Sequence, residues 1–319
     1  MNNDDETLEI VKSMRKEKAI DTHKSDTLGE EIFIPTRDGK TRGLIYRSKN
    51  KKNITPVFFD LHGGGFIRGL PENDDWFCSA VSNTLDITVI SIDYKLAPEY
   101  KCPADKNDVY DVVSYVSSHS DDFGIDANNM AIGGHSAGAN ISTVVCMMAK
   151  EKDQFSFKCE ILDYPPLDLF TAAEKKFYIE GAIPVETATL FNKCYRTEAY
   201  AKNPYCSPVS ATIESLRNLP PAIVITAEMD SLRDEGEDYA QKLVKAGVET
   251  TAKRFYGVRH GFTISHPDLP ESKVAYKMII DGLAKYLLKW ENHTFIQLKV
   301  TREELKVNVT FCLRAKSLI

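Results

Sequence analysis

The chain of 319 residues has no paired cysteine motif, no basic surplus and no long apolar run. Its seven cysteines, Cys78, Cys102, Cys146, Cys159, Cys194, Cys206 and Cys312, are scattered without a CxxC or CxH pair. That removes the usual zinc-ligand spacings, and no metal is expected. An odd, dispersed set in a long chain fits buried free thiols in a reducing, cytoplasmic setting. Lys plus Arg number 40 against 46 Asp plus Glu, a net charge of −6. The positive excess that phosphate backbones require is missing, which excludes nucleic acid as an expected partner. No apolar stretch reaches the roughly 18 residues of a membrane span. Residues 1–18 begin Asn-Asn-Asp-Asp-Glu and hold no run of the kind a secretory signal needs. The sequons at Asn53, Asn140, Asn292 and Asn308 then carry little weight, because glycosylation needs a secretory route.

What remains is ordinary globular usage, with 43% hydrophobic and 27% charged residues. The length suits one large α/β domain better than two equal ones. Short β-rich runs alternate with longer amphipathic ones from about residue 54 to 290, the pattern of βαβ units around a mainly parallel sheet. Eight strands are expected. Residues 31–35 and 43–47 flank the turn signal Arg37-Asp38-Gly39-Lys40 and should pair antiparallel. The other six, at 56–61, 87–93, 129–133, 158–164, 221–227 and 251–256, are mostly apolar runs of the kind covered by helices on both faces. Helices are expected near 73–85, 104–120, 137–150, 233–246 and 271–290.

Two segments break the alternation. Residues 7–19 space Leu8, Val11 and Met14 helically, and residues 167–206 contain no clear strand. Insertions in such folds sit over the strand ends where ligands bind, so both are candidates for a cap. The domain reading is therefore 1–290, with cap segments 1–28 and 167–206, followed by a tail, 291–319, of unassigned role. The tail carries two alternating stretches, 294–300 and 305–311, which could form an extra hairpin.

Gly134-His135-Ser136-Ala137-Gly138 follows an apolar strand and precedes a helical stretch, the context of a nucleophile elbow that exposes Ser136 on a sharp turn. His62-Gly63-Gly64-Gly65-Phe66 follows another strand. Its glycines let backbone N–H groups approach a developing oxyanion, and Gly64, Gly65 and Ala137 are the expected donors. A phosphate-binding reading of this loop lacks the Lys-Ser/Thr ending and the GxGxxG spacing. Asp230 lies just past strand 221–227, where an acid should sit, with Glu228 as its rival. Asp234 and Glu235 read instead as charges at a helix start. His260 follows strand 251–256 on the same sheet edge, with His266 as competitor. The order Ser136, Asp230, His260 is nucleophile, acid, base.

With these motifs in place, the chain resembles the hormone-sensitive-lipase-like branch of α/β-hydrolase esterases. Besides HGGGF and GHSAG, Asp93-Tyr94-Lys95-Leu96-Ala97-Pro98-Glu99 is similar to that family's DYRLAPE. Cys102-Pro103-Ala104 with Asp108-Val109, the segment 230–236 and Ser207-Pro208-Val209-Ser210 match further family motifs, so the likeness covers roughly residues 30–290. It implies an α/β-hydrolase fold, an eight-stranded mostly parallel sheet flanked by helices with a helical cap. It further implies a carboxylic ester hydrolase with the triad Ser136, Asp230 and His260, oxyanion donors Gly64, Gly65 and Ala137, and no cofactor. Two departures stand out. His135 replaces the common Asp of the elbow, and Ser231 replaces the Pro after the acid. His62 and the turn 94–99 are expected to brace the site. The expected substrate is a small ester with a short, acetyl-type acyl group. An amidase or thioesterase with the same triad is the alternative, and a ligand-binding receptor on the same fold is the other. The oligomeric state stays open, a homodimer being one option.

Overall fold

β-branched and aromatic runs build the centre of the molecule, in a computed structural model that describes residues 3–22, 27–48, 50, 54–288, 299–300 and 309–310. Eight strands, β1 (Glu30–Thr36), β2 (Gly39–Tyr46), β3 (Thr55–Leu61), β4 (Thr88–Ile92), β5 (Ile125–His135), β6 (Cys159–Asp163), β7 (Ala222–Met229) and β8 (Thr250–Arg259), form one sheet. Its order is β1-β2-β4-β3-β5-β6-β7-β8. The β1–β2 hairpin is antiparallel, turning at Arg37-Asp38, β2 pairs antiparallel with β4, and all remaining neighbours are parallel.

Helices cover both faces, as a parallel sheet requires. In chain order they are α1 (Asn3–Thr22), α2 (Asp75–Leu85), α3 (Ala104–Ser118), α4 (Ser120–Phe123), α5 (Ala137–Lys152), α6 (Val185–Tyr195), α7 (Ile213–Leu216), α8 (Arg233–Lys245), α9 (Phe262–Ser265) and α10 (Pro270–Leu287). The period-2 alternation of the strands sorts the core in two. Val57, Phe59 and Leu61 of β3 join Val109 and Val113 of α3, the apolar body of α5 and Leu243 of α8. Phe58, Ile161, Ile223 and Ile225 face the other way, onto Phe77 and Val81 of α2 and Ile279 and Leu283 of α10. Every residue of α5 from Ala137 to Ala149 is buried, because this helix is packed on all sides. Such a helix needs no amphipathic stripe.

The 167–206 segment forms no strand and contributes α6 plus short single-turn helices at Ala173–Lys175 and Glu198–Tyr200. Its two stems converge on Asn140. The buried side-chain amide of that residue donates to the carbonyls of Pro166 (2.7 Å) and Cys206 (3.1 Å). The sequon at Asn140 is thus occupied by a structural role. Six cysteines, all but Cys312, are buried and free. Among the described residues no helix is long and apolar enough to cross a membrane. Of the tail, Lys299–Val300 and Val309–Thr310 pair antiparallel. The rest of its two alternating stretches, Cys312, and the sequons at Asn53, Asn292 and Asn308 lie outside the described residues.

Candidate active site

Four strand ends and the loops that follow them set the site at one edge of the sheet. β5 runs directly into α5 at Ser136, whose backbone is held at φ 54° and ψ −117°. A positive φ is costly for a residue with a side chain and marks a constrained turn. The turn is this tight because α5 starts against the end of β3. A Cβ on Gly138 would lie 1.9 Å from the Leu61 carbonyl oxygen, so only glycine fits there. The Ser136 N–H is tied to the Asp163 carbonyl of β6 (2.8 Å), which fixes the turn from the far side.

Beyond β8, His260 reaches back so that its Nε2 stands 2.9 Å from Ser136 Oγ. Its Nδ1 stands 2.7 Å from Oδ2 of Asp230, in the loop after β7. The other carboxylate oxygen of Asp230 accepts the Leu232 N–H (3.1 Å), which locks the rotamer. Burial acts to depress the His260 pKa. The charge of Asp230 and its hydrogen bond, with Asp163 and Glu235 further off, outweigh burial and raise it above the usual 6.5.

The rival residues are used elsewhere. Glu228 accepts the Gly257 N–H (2.8 Å). Asp234 pairs with its neighbour Arg233 (2.8 Å) at the surface. Glu235 is buried, accepts the N–H groups of Leu167 and Asp168, and pairs with Lys176, which ties α8 to the inserted segment. His266 is exposed past α9.

The glycine loop after β3 faces the elbow. Gly64 and Gly65 hold φ of 137° and 62°, and a Cβ on Gly64 would lie 1.9 Å from the Arg68 carbonyl oxygen. Neither donates its N–H to any described backbone or side-chain acceptor. Their N–H groups remain available, as does the electropositive start of α5 at Ala137. His62 braces the loop: its ring stacks on Tyr94 at 4.3 Å, and the Tyr94 hydroxyl donates to the His62 carbonyl (2.7 Å).

A cavity of about 350 Å³ opens over these groups, floored by Gly64, Gly65, Ser136 and His260. Its walls include Phe177, Tyr178, Ile183 and Phe191 of the inserted segment, whereas no described residue of α1 lines it. These aromatic walls were invisible as such in the sequence, where they were simply part of a strandless stretch.

Sequence reasoning also missed a buried network under the elbow. His135 Nδ1 meets Asp163 Oδ2 at 2.8 Å, and its Nε2 lies 4.0 Å from Asp60 Oδ1. Thr263 donates to Asp163 and bonds the Tyr164 hydroxyl (2.7 Å), and the Tyr164 ring packs edge-on against His260 at 4.8 Å. Burial works against a charge on His135, but Asp74, Asp163 and Asp60 together push its pKa up to about 9. Asp60, Asp74 and His135 place one donor atom each within 4.8 Å of the others. The same acidic surroundings that raise His135 favour its charged form, while burial pushes the Asp60 carboxyl up toward its neutral one, so the cluster reads as a histidine–carboxyl network and not as a cation cradle.

Comparison with known proteins agrees with this architecture. A family model, Abhydrolase_3, described as the α/β-hydrolase fold, matches residues 58–264. An arylesterase of Saccharolobus solfataricus is 32% identical over 88% of this chain and 88% of its own. An ethyl acetate hydrolase of Pseudomonas putida is 27% identical over 81% and 82%. The solved hyperthermophilic esterase of Pyrobaculum calidifontis superposes with a TM-score of 0.77 at 35% identity, covering 86% of this chain and 91% of the other. The chain belongs to the Abhydrolase_3 family of α/β hydrolases, the family that includes the hormone-sensitive-lipase-like esterases.

Proposed function

We propose that the protein is a serine carboxylesterase that cleaves short-chain, acetyl-type esters through an acyl-enzyme on Ser136. The observation that carries this reading is the unbroken chain Ser136 Oγ to His260 Nε2 (2.9 Å) and His260 Nδ1 to Asp230 (2.7 Å) at the foot of a cavity. Ser136 Oγ adds to the ester carbonyl carbon while its proton passes to His260 Nε2. The carbonyl oxygen becomes an oxyanion, held by the N–H groups of Gly64, Gly65 and Ala137. Collapse expels the alcohol, which takes the proton from His260 and leaves the acyl group on Ser136. Water then adds to the acyl carbon, giving its proton to His260. The second collapse releases the acid and returns the proton to Ser136. Asp230 holds the imidazole tautomer and stabilises the imidazolium. Protein groups and water suffice for every step.

Two features support a small substrate. A cavity of about 350 Å³ stands at the lower end of the roughly 300–1,000 Å³ range of small-molecule pockets, and one relative is named for ethyl acetate. In this reading the 167–206 segment is the substrate-facing part of a cap. The six free, buried thiols support a reducing, cytoplasmic setting.

A nitrophenyl ester series from acetate to dodecanoate tests the substrate reading. The highest kcat/KM is expected at acetate or butanoate, with a loss of roughly tenfold or more by dodecanoate. A maximum among the long chains would instead assign the cavity to lipid-like acyl groups. Labelling by a fluorophosphonate tests the nucleophile itself, and an unlabelled protein would turn the reading toward a binding pocket.

The histidine makes a pH prediction. The base must be neutral to take the serine proton, and its pKa is raised above 6.5 by Asp230 despite burial. Activity should therefore fall on acidification with a midpoint above 6.5. A flat profile of kcat/KM from about pH 5 to 8 would remove His260 from the role of base.

A further inference from the structure

The oxyanion loop is held from an unexpected direction. On α1, Val11 is fully buried in the core, and Arg15 lies one turn further along the same face. The Arg15 guanidinium donates Nε–H to the Ile67 carbonyl (2.6 Å) and Nη2–H to the Ala97 carbonyl (2.7 Å). The same fork grips both carboxylate oxygens of Glu99 (2.8 Å each). Ile67 belongs to the turn whose N–H groups, from Ile67 and Arg68, close on the Gly64 carbonyl (3.3 and 3.2 Å). Ala97 donates its N–H to the Phe66 carbonyl (2.9 Å). Arg15 therefore joins the loop to its neighbouring turn on either side of that link.

From this geometry we propose that Arg15 is a positioning residue of the oxyanion hole, acting on Gly64 and Gly65 through the Ile67 and Ala97 carbonyls. The proposal rests on the serine-esterase reading above. A loop built on three successive glycines has little conformational preference of its own and loses much entropy when fixed, so its geometry depends on external ties. One end is tied by Tyr94 at the His62 carbonyl (2.7 Å). At the other end, Phe66 stacks on Tyr195 of α6 at 3.8 Å, and Arg15 fixes the backbone just beyond. The ion pair with Glu99 is partly exposed, at 28% and 40%, and such pairs add little to stability. The two part-buried carbonyl bonds contribute some stability, and their larger consequence falls on rate. No described residue of α1 lines the cavity, so substrate binding should be left alone.

The test compares Arg15→Ala, Arg15→Lys and Glu99→Gln with wild type. Each is measured for kcat and KM on nitrophenyl acetate, for affinity toward a trifluoromethyl ketone, and for melting temperature. The ketone accepts Ser136 Oγ at its carbonyl carbon while the serine proton moves to His260, so its oxyanion reports the hole directly. Deleting a donor outright costs about 10²–10³ in kcat, and loosening the loop should cost about tenfold. The expected result for Arg15→Ala is that kcat and ketone affinity fall together by about that factor. KM should stay within about twofold, and the melting temperature should drop by a few degrees at most, too little to unfold the protein at the assay temperature. Arg15→Lys should lie between, and Glu99→Gln, which loosens the grip on the guanidinium but leaves both carbonyl bonds possible, should lose less than Arg15→Ala.

Unchanged kcat and ketone affinity would overturn the proposal. So would a change confined to KM or chain-length preference, or a loss that merely follows the folded fraction. If Arg15→Ala does not fold, Arg15→Lys and Arg15→Gln are judged by the same paired criterion. A wild-type protein that neither hydrolyses the ester nor binds the ketone would instead bring down the esterase reading, so the two failures are distinguishable.

Discussion

Ester hydrolysis by Ser136→Ala is expected to fall on the order of 10⁶-fold in kcat, while the protein folds as before. Ser136 is partly exposed at the mouth of the turn and fills no core space. Alanine meets the same positive φ of 54° with a side chain of similar bulk, so the strain is common to both. What disappears is the only described oxygen within reach of His260 Nε2. Under the proposed mechanism no acyl-enzyme can then form, and the proposed oxyanion donors with water would supply the residual rate. The measurement is kcat alongside a circular-dichroism melt and fluorophosphonate labelling, which should vanish. Activity above about one per cent of wild type would pass the role to another hydroxyl. Ser231, which lines the same cavity, would be the first to examine.

Asp230→Asn should cost on the order of 10⁴ in kcat, because an amide favours the wrong imidazole tautomer and leaves the imidazolium uncompensated. Glu228→Gln and Asp234→Asn should stay within about threefold of wild type. Glu228 caps the Gly257 N–H and Asp234 lies at the surface beside Arg233, neither facing the histidine. The comparison holds only between folded variants, and Asp230 also anchors the Leu232 N–H, so each melt must be recorded. If Asp230→Asn remained within about tenfold of wild type while another variant collapsed, the acid would be reassigned and the hydrolase reading could stand.

The eight strands were legible because runs such as residues 57–61 and 222–227 are too apolar to lie anywhere but inside a covered sheet. Their ends were less so. β8 runs on to Arg259 although its residues are largely polar. It is an edge strand, and an irregularity between Ala227 and Met229 of β7 lets the pairing resume at Arg259. The helix expected over 104–120 stops at Ser118, and a separate turn, α4, follows it. Ser136, Asp230 and His260 could be singled out because each sits three or four residues beyond a strand expected from the sequence, and directly after the strand observed. The network around His135 could not, since Asp60, Asp74 and Asp163 come from three separate elements. An apolar strand hints that Asp60 and Asp163 are buried, but nothing local says that they meet each other and His135. Arg15 was hidden for the same reason: its partners are backbone carbonyls more than 50 positions away, and carbonyls have no sequence signature.

Asn140 has a consequence of a different kind. Because a single amide gathers the carbonyls of Pro166 and Cys206, the intervening stretch leaves α5 and returns to it at nearly one point. An excursion closed in this way can grow or shrink at small cost, about 0.6 kcal/mol for each doubling of its length. The walls of the cavity can thus be rewritten, or exchanged whole between relatives, while the strands beneath keep their register. Evolutionary change in what this scaffold accepts is then largely separable from the strand ends that carry Ser136, Asp230 and His260, with the stack of Phe66 on Tyr195 as the point where the two remain joined.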